Sequence, residues 1–172
     1  QRNTKCTLFL LGRNTDRLRE TKQLCLEHMD DSQSSVYCFS ADMTNKEQVQ
    51  QVMNKCDDIR PVDLIFANAG ISNKCTSSDD WFDRFDELLR VNVLGTFNCV
   101  FPVLKRMIKR KRGHIAINAS VASYHPLFGS TSVYSATKVF LRFMTQTLAV
   151  SLMYYGVDCT VINLGWVDTP LI

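Results

Sequence analysis

Short apolar runs alternate with segments whose apolar residues recur every three to four positions, along the whole chain. Thr7–Leu11, Val36–Phe39, Val62–Ala67, Ile115–Ala119 and Asp158–Asn163 read as buried strands flanked by turn residues. Between them, Thr15–Met29, a segment after Thr44-Asn45-Lys46-Glu47, the stretch from Trp81 toward Arg112, and Ser132–Tyr154 read as helices. Thr44 and Glu47 have capping-box spacing, and Val49, Val52, Met53 and Cys56 then follow i, i+3, i+4, i+7. Trp81, Phe85, Leu88, Leu89 and Asn92 share one helical face. Strands that alternate with helices in this way predict a parallel sheet covered by helices on both faces, a doubly wound α/β fold. No linker or internal repeat interrupts the pattern, so residues 1–172 are expected to form a single domain.

Sheets of this kind bind ligands beyond the carboxyl ends of their strands. Asn68, Ser120 and Gly165 all follow predicted strand ends, and Asn92 lies on an apolar helix face. Tyr134 and Lys138 are four residues apart, about one helical turn, so phenol and ammonium can share a face. A neighbouring cation is expected to lower the phenol pKa, which suits a proton donor to a carbonyl oxygen. Ser120, fourteen residues upstream of Tyr134, adds a hydroxyl for the same oxygen.

Composition excludes more than it selects. With 45% apolar and 22% charged residues the chain reads as soluble and globular, and a net charge of +3 is too slight to argue for nucleic acid. No membrane span or secretory signal is expected. Seven widely spaced cysteines without a Cys-x-x-Cys or a Cys/His pattern point to a reducing, cytoplasmic compartment and to no metal site. The cluster Lys105, Arg106, Lys109, Arg110, Lys111 and Arg112 precedes Gly113 and reads as a solvated helix end.

Taken in order, these motifs resemble the short-chain dehydrogenase/reductase family over nearly all 172 residues. Asn68-Ala69-Gly70 is similar to the family's Asn-Ala-Gly signature, and Asp42 stands where its aspartate contacts adenine. Ser120, Tyr134 and Lys138 match the catalytic serine, tyrosine and lysine, and Asn92 matches the asparagine that holds a proton-relay water. Gly165-Trp166-Val167-Asp168-Thr169-Pro170 resembles the loop around the nicotinamide amide, with Gly165, Val167 and Thr169 as contacts. The resemblance implies a Rossmann-type oxidoreductase of the carbonyl reductase or alcohol dehydrogenase kind. Tyr134 is its acid/base, and Lys138 tunes Tyr134 and binds the nicotinamide ribose. Arg13 follows the first strand where an acid would hold a ribose 2′-hydroxyl; an arginine accommodates a 2′-phosphate, so NADP(H) is favoured over NAD. A small-molecule carbonyl or alcohol substrate and a homodimer or homotetramer built on the two long helices are also implied.

The chain also departs from the family. No Thr-Gly-x-x-x-Gly-x-Gly turn occurs, and the chain opens at what matches the family's second strand. The missing first strand belongs mid-sheet, between the strands at Leu8 and Leu64, so open inner edges are expected in what reads as the middle of a longer protein. Leu164 replaces the usual proline before Gly165. His125 reads as a pocket-wall residue, and Asn73–Ser78 as a flank of the entrance. The absent glycine turn leaves a non-catalytic binding or scaffold protein as an alternative. A nucleotide-sugar epimerase or dehydratase is a further alternative, because those relatives share Tyr-x-x-x-Lys.

Overall fold

The computed structural model describes residues 6–29, 34–72, 81–125 and 132–167. Strands β1 (Thr7–Gly12), β2 (Ser35–Ser40), β3 (Leu64–Ala67), β4 (Gly113–Asn118) and β5 (Val157–Ile162) alternate with helices α1 (Thr15–Glu27), α2 (Lys46–Ile59), α3 (Trp81–Leu88), α4 (Thr96–Arg110) and α5 (Ser132–Leu152). All pairings are parallel: β1 with β2, and β3–β4–β5 in that order. This is the Rossmann-type, doubly wound α/β arrangement.

The strands form two sheets rather than one. β1 and β3 face each other across an open slot of about 810 Å³, lined by Thr7 to Gly12 on one side and Leu64 to Ala67 on the other. Among the described residues, the inner edges of both strands have no strand partner. Arg60 reaches Thr7 Oγ1 at 3.2 Å beside the slot.

Alternation along β3 shows which face is packed. Ile65 is buried, whereas Leu64 and Phe66, pointing the other way, are 56% and 54% exposed. Ile65 joins Ile115, Ile117 and Val157 against Phe97, Val100, Val103, Leu104 and Met107 of α4 and Leu141 and Leu152 of α5. This core is what fixes α5, and hence Tyr134 and Lys138, over the strand ends.

Caps and turns follow local chemistry. Asn14 Oδ1 accepts from Arg17 N–H and opens α1. The second helix starts at Asn45, whose Oδ1 accepts from Gln48 N–H, and not at Thr44 as the capping-box spacing predicts. Thr44 is instead drawn to Asp42, donating both its amide and its hydroxyl to that carboxylate. Gly156 has φ of +65°, and a Cβ there would lie 2.5 Å from the Lys111 carbonyl, so this turn out of α5 requires glycine.

The basic cluster is half engaged rather than solvated. Arg106 and Arg110 converge on Asp57, whose side chain is 3% exposed, Arg106 also pairs with Asp58, and Arg112 pairs with Asp63. Burial pushes the Asp57 carboxyl up, but Arg110, the Val62 amide and Arg106 outweigh it and hold it below the usual range. The result pins α2 to α4. The helical run Arg84–Arg110 has a mean hydropathy of 1.2 over an 18-residue window, which meets the length and apolarity of a membrane span. Phe97, Val100, Val103, Leu104 and Met107 of this run belong to the core, whereas Phe85, Leu94 and Phe101 are exposed.

Candidate functional site

Ser120 lies two residues beyond the end of β4 and opens a single 3₁₀ turn, Val121–Ser123. Its Oγ accepts from Ala122 N–H at 3.2 Å. The main chain on either side is tied to the exit of β5: Ala119 N–H donates to Ile162 O at 2.8 Å and Val121 N–H to Leu164 O at 2.9 Å. The turn is therefore seated between two strand ends and presents Ser120 to α5.

On α5, Tyr134 and Lys138 do share a face, and Lys138 Nζ lies 5.6 Å from the centre of the Tyr134 ring. The Ser120 hydroxyl lies close enough to the Tyr134 phenol to act on its titration. The electrostatics differ from the sequence expectation. Burial raises the Tyr134 pKa, and the Ser120 hydroxyl only partly offsets that rise. Burial therefore sets the direction at Tyr134, and Lys138, which is itself 4% exposed and whose pKa burial lowers to about 8, does not reverse it. Its Nζ lies over the ring and donates to Asn118 O at 2.9 Å.

This burial carries a pH signature. Between about pH 8 and the ordinary lysine value, the folded chain has released the Lys138 proton while the unfolded chain still holds it. Stability from this group therefore rises with pH in that window. Wild type is expected to gain melting temperature from pH 7.5 to 9.5 relative to Lys138→Met, and parallel pH profiles for the two would rule this out. The window stops short of Tyr134, whose raised pKa acts with the opposite sign at higher pH.

Asn92 is fully buried in a π-helical turn, Leu89–Gly95, between α3 and α4. Its side-chain amide accepts from Ile71 N–H at 2.8 Å and donates to Ile71 O at 2.9 Å and Thr137 Oγ1 at 3.1 Å. Its own carbonyl accepts from the Thr96 hydroxyl at 2.8 Å. Asn92 thus ties the segment after β3 to α5, one residue from Lys138. A Cβ on Gly70 would lie 3.2 Å from Asn92 Oδ1 and 3.6 Å from Lys138 Nζ, so the glycine lets this segment close on both.

Asn68 and Ala69 continue from β3 and are exposed. Asn118 Nδ2 donates to Asn68 Oδ1 at 2.8 Å, whereas the buried Asn118 Oδ1 has no partner among the described residues. Arg13 and Asp42, at the ends of β1 and β2, form an ion pair at 3.6 Å with side chains 65% and 40% exposed. The Thr44 amide and hydroxyl, with Arg13 after them, hold the Asp42 carboxyl below the usual range. Gly165 is open, with nothing within 4 Å of a Cβ, and Val167 is exposed. Thr169 and Asn73–Ser78 lie outside the described residues; His125 is exposed.

The structure thus brings Asn92, Ser120, Tyr134, Lys138 and Gly70 together and places the Arg13–Asp42 pair on the other side of the slot. Sequence reasoning missed Thr137 and Asn118. Asn118, a polar residue ending an apolar strand run, carried a readable signal; Thr137 did not.

Residues 3–172 match the short chain dehydrogenase family. An uncharacterized oxidoreductase of Staphylococcus epidermidis is 31% identical over 166 residues, covering 96% of this chain and 69% of that protein. One from Staphylococcus aureus strain N315 is 33% identical over 167 residues, covering 95% and 68%. Among solved structures, levodione reductase superposes with a TM-score of 0.88 at 28% identity, covering 96% of this chain and 64% of that one. The chain therefore spans less than two thirds of that solved chain. NAD⁺-bound xylitol dehydrogenase, at 24% identity and TM-score 0.84 over 93% of this chain and 60% of its own, shares the fold. The chain belongs to the short-chain dehydrogenase family, whose matched members here are oxidoreductases.

Proposed function

We propose that the protein carrying this chain moves a hydride between NADP(H) and a carbonyl or secondary alcohol, as a carbonyl reductase or alcohol dehydrogenase. The observation that carries this reading is the grouping of Ser120, on the turn after β4, with Tyr134 and with Lys138 Nζ 5.6 Å from the centre of the Tyr134 ring, at the carboxyl ends of parallel strands. The nicotinamide, when bound, supplies the hydride. Ser120 Oγ orients the substrate oxygen and Tyr134 Oη hands it a proton. The raised Tyr134 pKa keeps the phenol protonated at neutral pH, which favours carbonyl reduction over alcohol oxidation there. Lys138 provides a cation to the ribose side, and Asn92 holds the Ile71 segment and α5 at a fixed separation.

The residues fit a phosphorylated dinucleotide in part. Arg13 is exposed at a strand end, tethered by Asp42 and free on its outer side to receive a 2′-phosphate. Gly70 gives close backbone approach beside Lys138. Asp42, Asn68, Ala69, Gly165, Val167 and Thr169 are proposed to line the rest of the cofactor edge. The pyrophosphate turn has no counterpart in residues 1–172, and the full-length protein is taken to supply it. A single domain, a reducing cytoplasmic location and a homodimer through α4 and α5 complete the proposal. The dimer rests on Leu94, Phe101, Phe140 and Phe143, which are 58%, 42%, 48% and 66% exposed.

The test is a fluorescence titration of the full-length protein with NADPH and NADH. NADPH is expected to bind more tightly, and Arg13→Ala to weaken NADPH alone by about 10-fold, the lower end for a charge-assisted contact at an exposed site. Failure to bind either nucleotide would overturn the proposal, and equal losses for both would overturn the role of Arg13.

A further inference from the structure

The Ser120–Tyr134 contact joins two elements, the 3₁₀ turn after β4 and the face of α5. A second contact joins the same two elements away from the reacting oxygens. Arg142 lies one helical turn beyond Lys138, so Tyr134, Lys138 and Arg142 fall at i, i+4 and i+8 on α5. Its guanidinium stacks on the Tyr124 ring, with Cζ 4.6 Å from the ring centre. Arg142 Nε is buried and, among the described residues, has no hydrogen-bond partner, and Arg142 forms no ion pair there. Tyr124 is thus its one described polar attraction.

Tyr124 closes the turn that Ser120 opens. Ser123 N–H donates to Ser120 O at 2.9 Å and Tyr124 N–H to Val121 O at 3.0 Å. The Tyr124 hydroxyl accepts from Asn163 Nδ2 at 3.3 Å, and Asn163 Oδ1 accepts from Ser123 Oγ at 3.2 Å, so the turn is anchored to the exit of β5 at its far end as well. A turn fixed at both ends to one strand exit, packed on α5 and clasped to it by a cation–π contact, has little freedom to move relative to Tyr134. The plainer alternative is a partly exposed stack that adds about 0.5–1 kcal/mol and nothing else. Against it stands the geometry: five residues hold both Ser120 and Tyr124, and one helix face holds both of their partners.

We propose that Arg142 and Tyr124 are positioning residues, a brace that sets the gap between the Ser120 turn and α5 and so keeps Ser120 Oγ beside the Tyr134 phenol. The proposal rests on the reading of Tyr134 as the proton donor, but its test does not depend on turnover.

The full-length protein is labelled with ¹³Cζ-tyrosine, and the Tyr134 signal, assigned by its loss in Tyr134→Phe, is read at pH 7. Ser120→Ala supplies the displacement that follows when the hydroxyl contact is lost. Tyr124→Leu and Arg142→Met are expected to displace the signal in the same direction, and Arg142→Lys, which keeps a cation on the ring, to stay near wild type. Should Tyr124→Leu not fold, Tyr124→Phe, which loses only the hydroxyl held by Asn163, is expected to give a smaller shift of the same sign. A Tyr134 signal left in place by Arg142→Met and by either Tyr124 variant, while Ser120→Ala moves it, overturns the brace, even if the melting temperature falls. Wild-type turnover by Tyr134→Phe sinks the catalytic reading instead and leaves the brace result standing.

Discussion

Tyr134→Phe in the full-length protein is expected to cut NADPH-dependent carbonyl reduction about 10³-fold, within the range removed with a positioned general acid, while leaving nucleotide binding near wild type. The change deletes one oxygen from a half-buried ring, so packing against the core is preserved and the folded fraction should hold. The oxygen removed is the one whose titration the Ser120 hydroxyl influences. The loss should therefore appear in kcat and kcat/KM together, the pattern of an interaction made in the transition state. Ser120→Ala should fall in the same direction by less, because Tyr134 retains its proton. The pH dependence adds a second check. Tyr134 is held protonated through neutral pH, so wild-type reduction should stay flat below about pH 8, where Lys138 begins to lose its proton, and the further decline at higher pH that belongs to Tyr134 should be missing from the residual rate of Tyr134→Phe. A variant with wild-type turnover would remove the central claim of the mechanism.

The behaviour of Tyr134 shows what a sequence can and cannot convey. The four-residue spacing to Lys138 and the strand-end position of Ser120 are local, and both survive folding. The direction of the pKa shift is not local. It depends on how much protein covers the phenol and the ammonium, and both are buried by elements far apart in the sequence. For the same reason Lys138 reads as a tuning cation in sequence, yet in the structure it is a desolvated amine bound to the Asn118 carbonyl. Arg13 and Asp42, separated by a helix and a strand, could each be given a ligand role from their positions; their ion pair comes only from the parallel β1–β2 register.

The strands were legible because their apolar runs are bounded by polar turns, and the helices because their apolar residues repeat with helical period. Boundaries were less so. Thr44 has the spacing of a cap, but the Asp42 carboxylate competes for it and the helix starts on Asn45. The π-helical turn at Leu89–Gly95 left no trace in the periodicity, since it preserves the burial of Leu88 and Asn92. The open slot between β1 and β3 was anticipated from strand order, through the resemblance, and not from any property of those two strands.

Asn92 is where site and fold depend on the same side chain, and Asn92→Leu is expected to lower stability by about 3 kcal/mol. Leucine keeps the asparagine's branching and leaves no cavity, so the loss combines broken hydrogen bonds with the strain of a somewhat larger side chain at a fully buried site. Three partners are affected: Ile71 N–H, Ile71 C=O and the Thr137 hydroxyl. A buried polar group left unpaired costs about 1–3 kcal/mol. The sum is discounted because Ile71 is only partly buried, and Thr137 keeps its bond to the Tyr134 carbonyl at 2.7 Å. Thr137→Val, which removes one of these contacts, should cost about 1 kcal/mol. Because the Ile71 backbone then loses its tie to α5, Asn92→Leu should also raise KM for the nucleotide at temperatures where the protein is fully folded. Thr137→Val should leave KM near wild type. Chemical denaturation of both variants, with KM measured well below the melting temperature, separates the two effects. If Asn92→Leu matched wild type in both stability and KM, the side-chain amide would be idle, and only its carbonyl, held by Thr96, would remain to explain the residue.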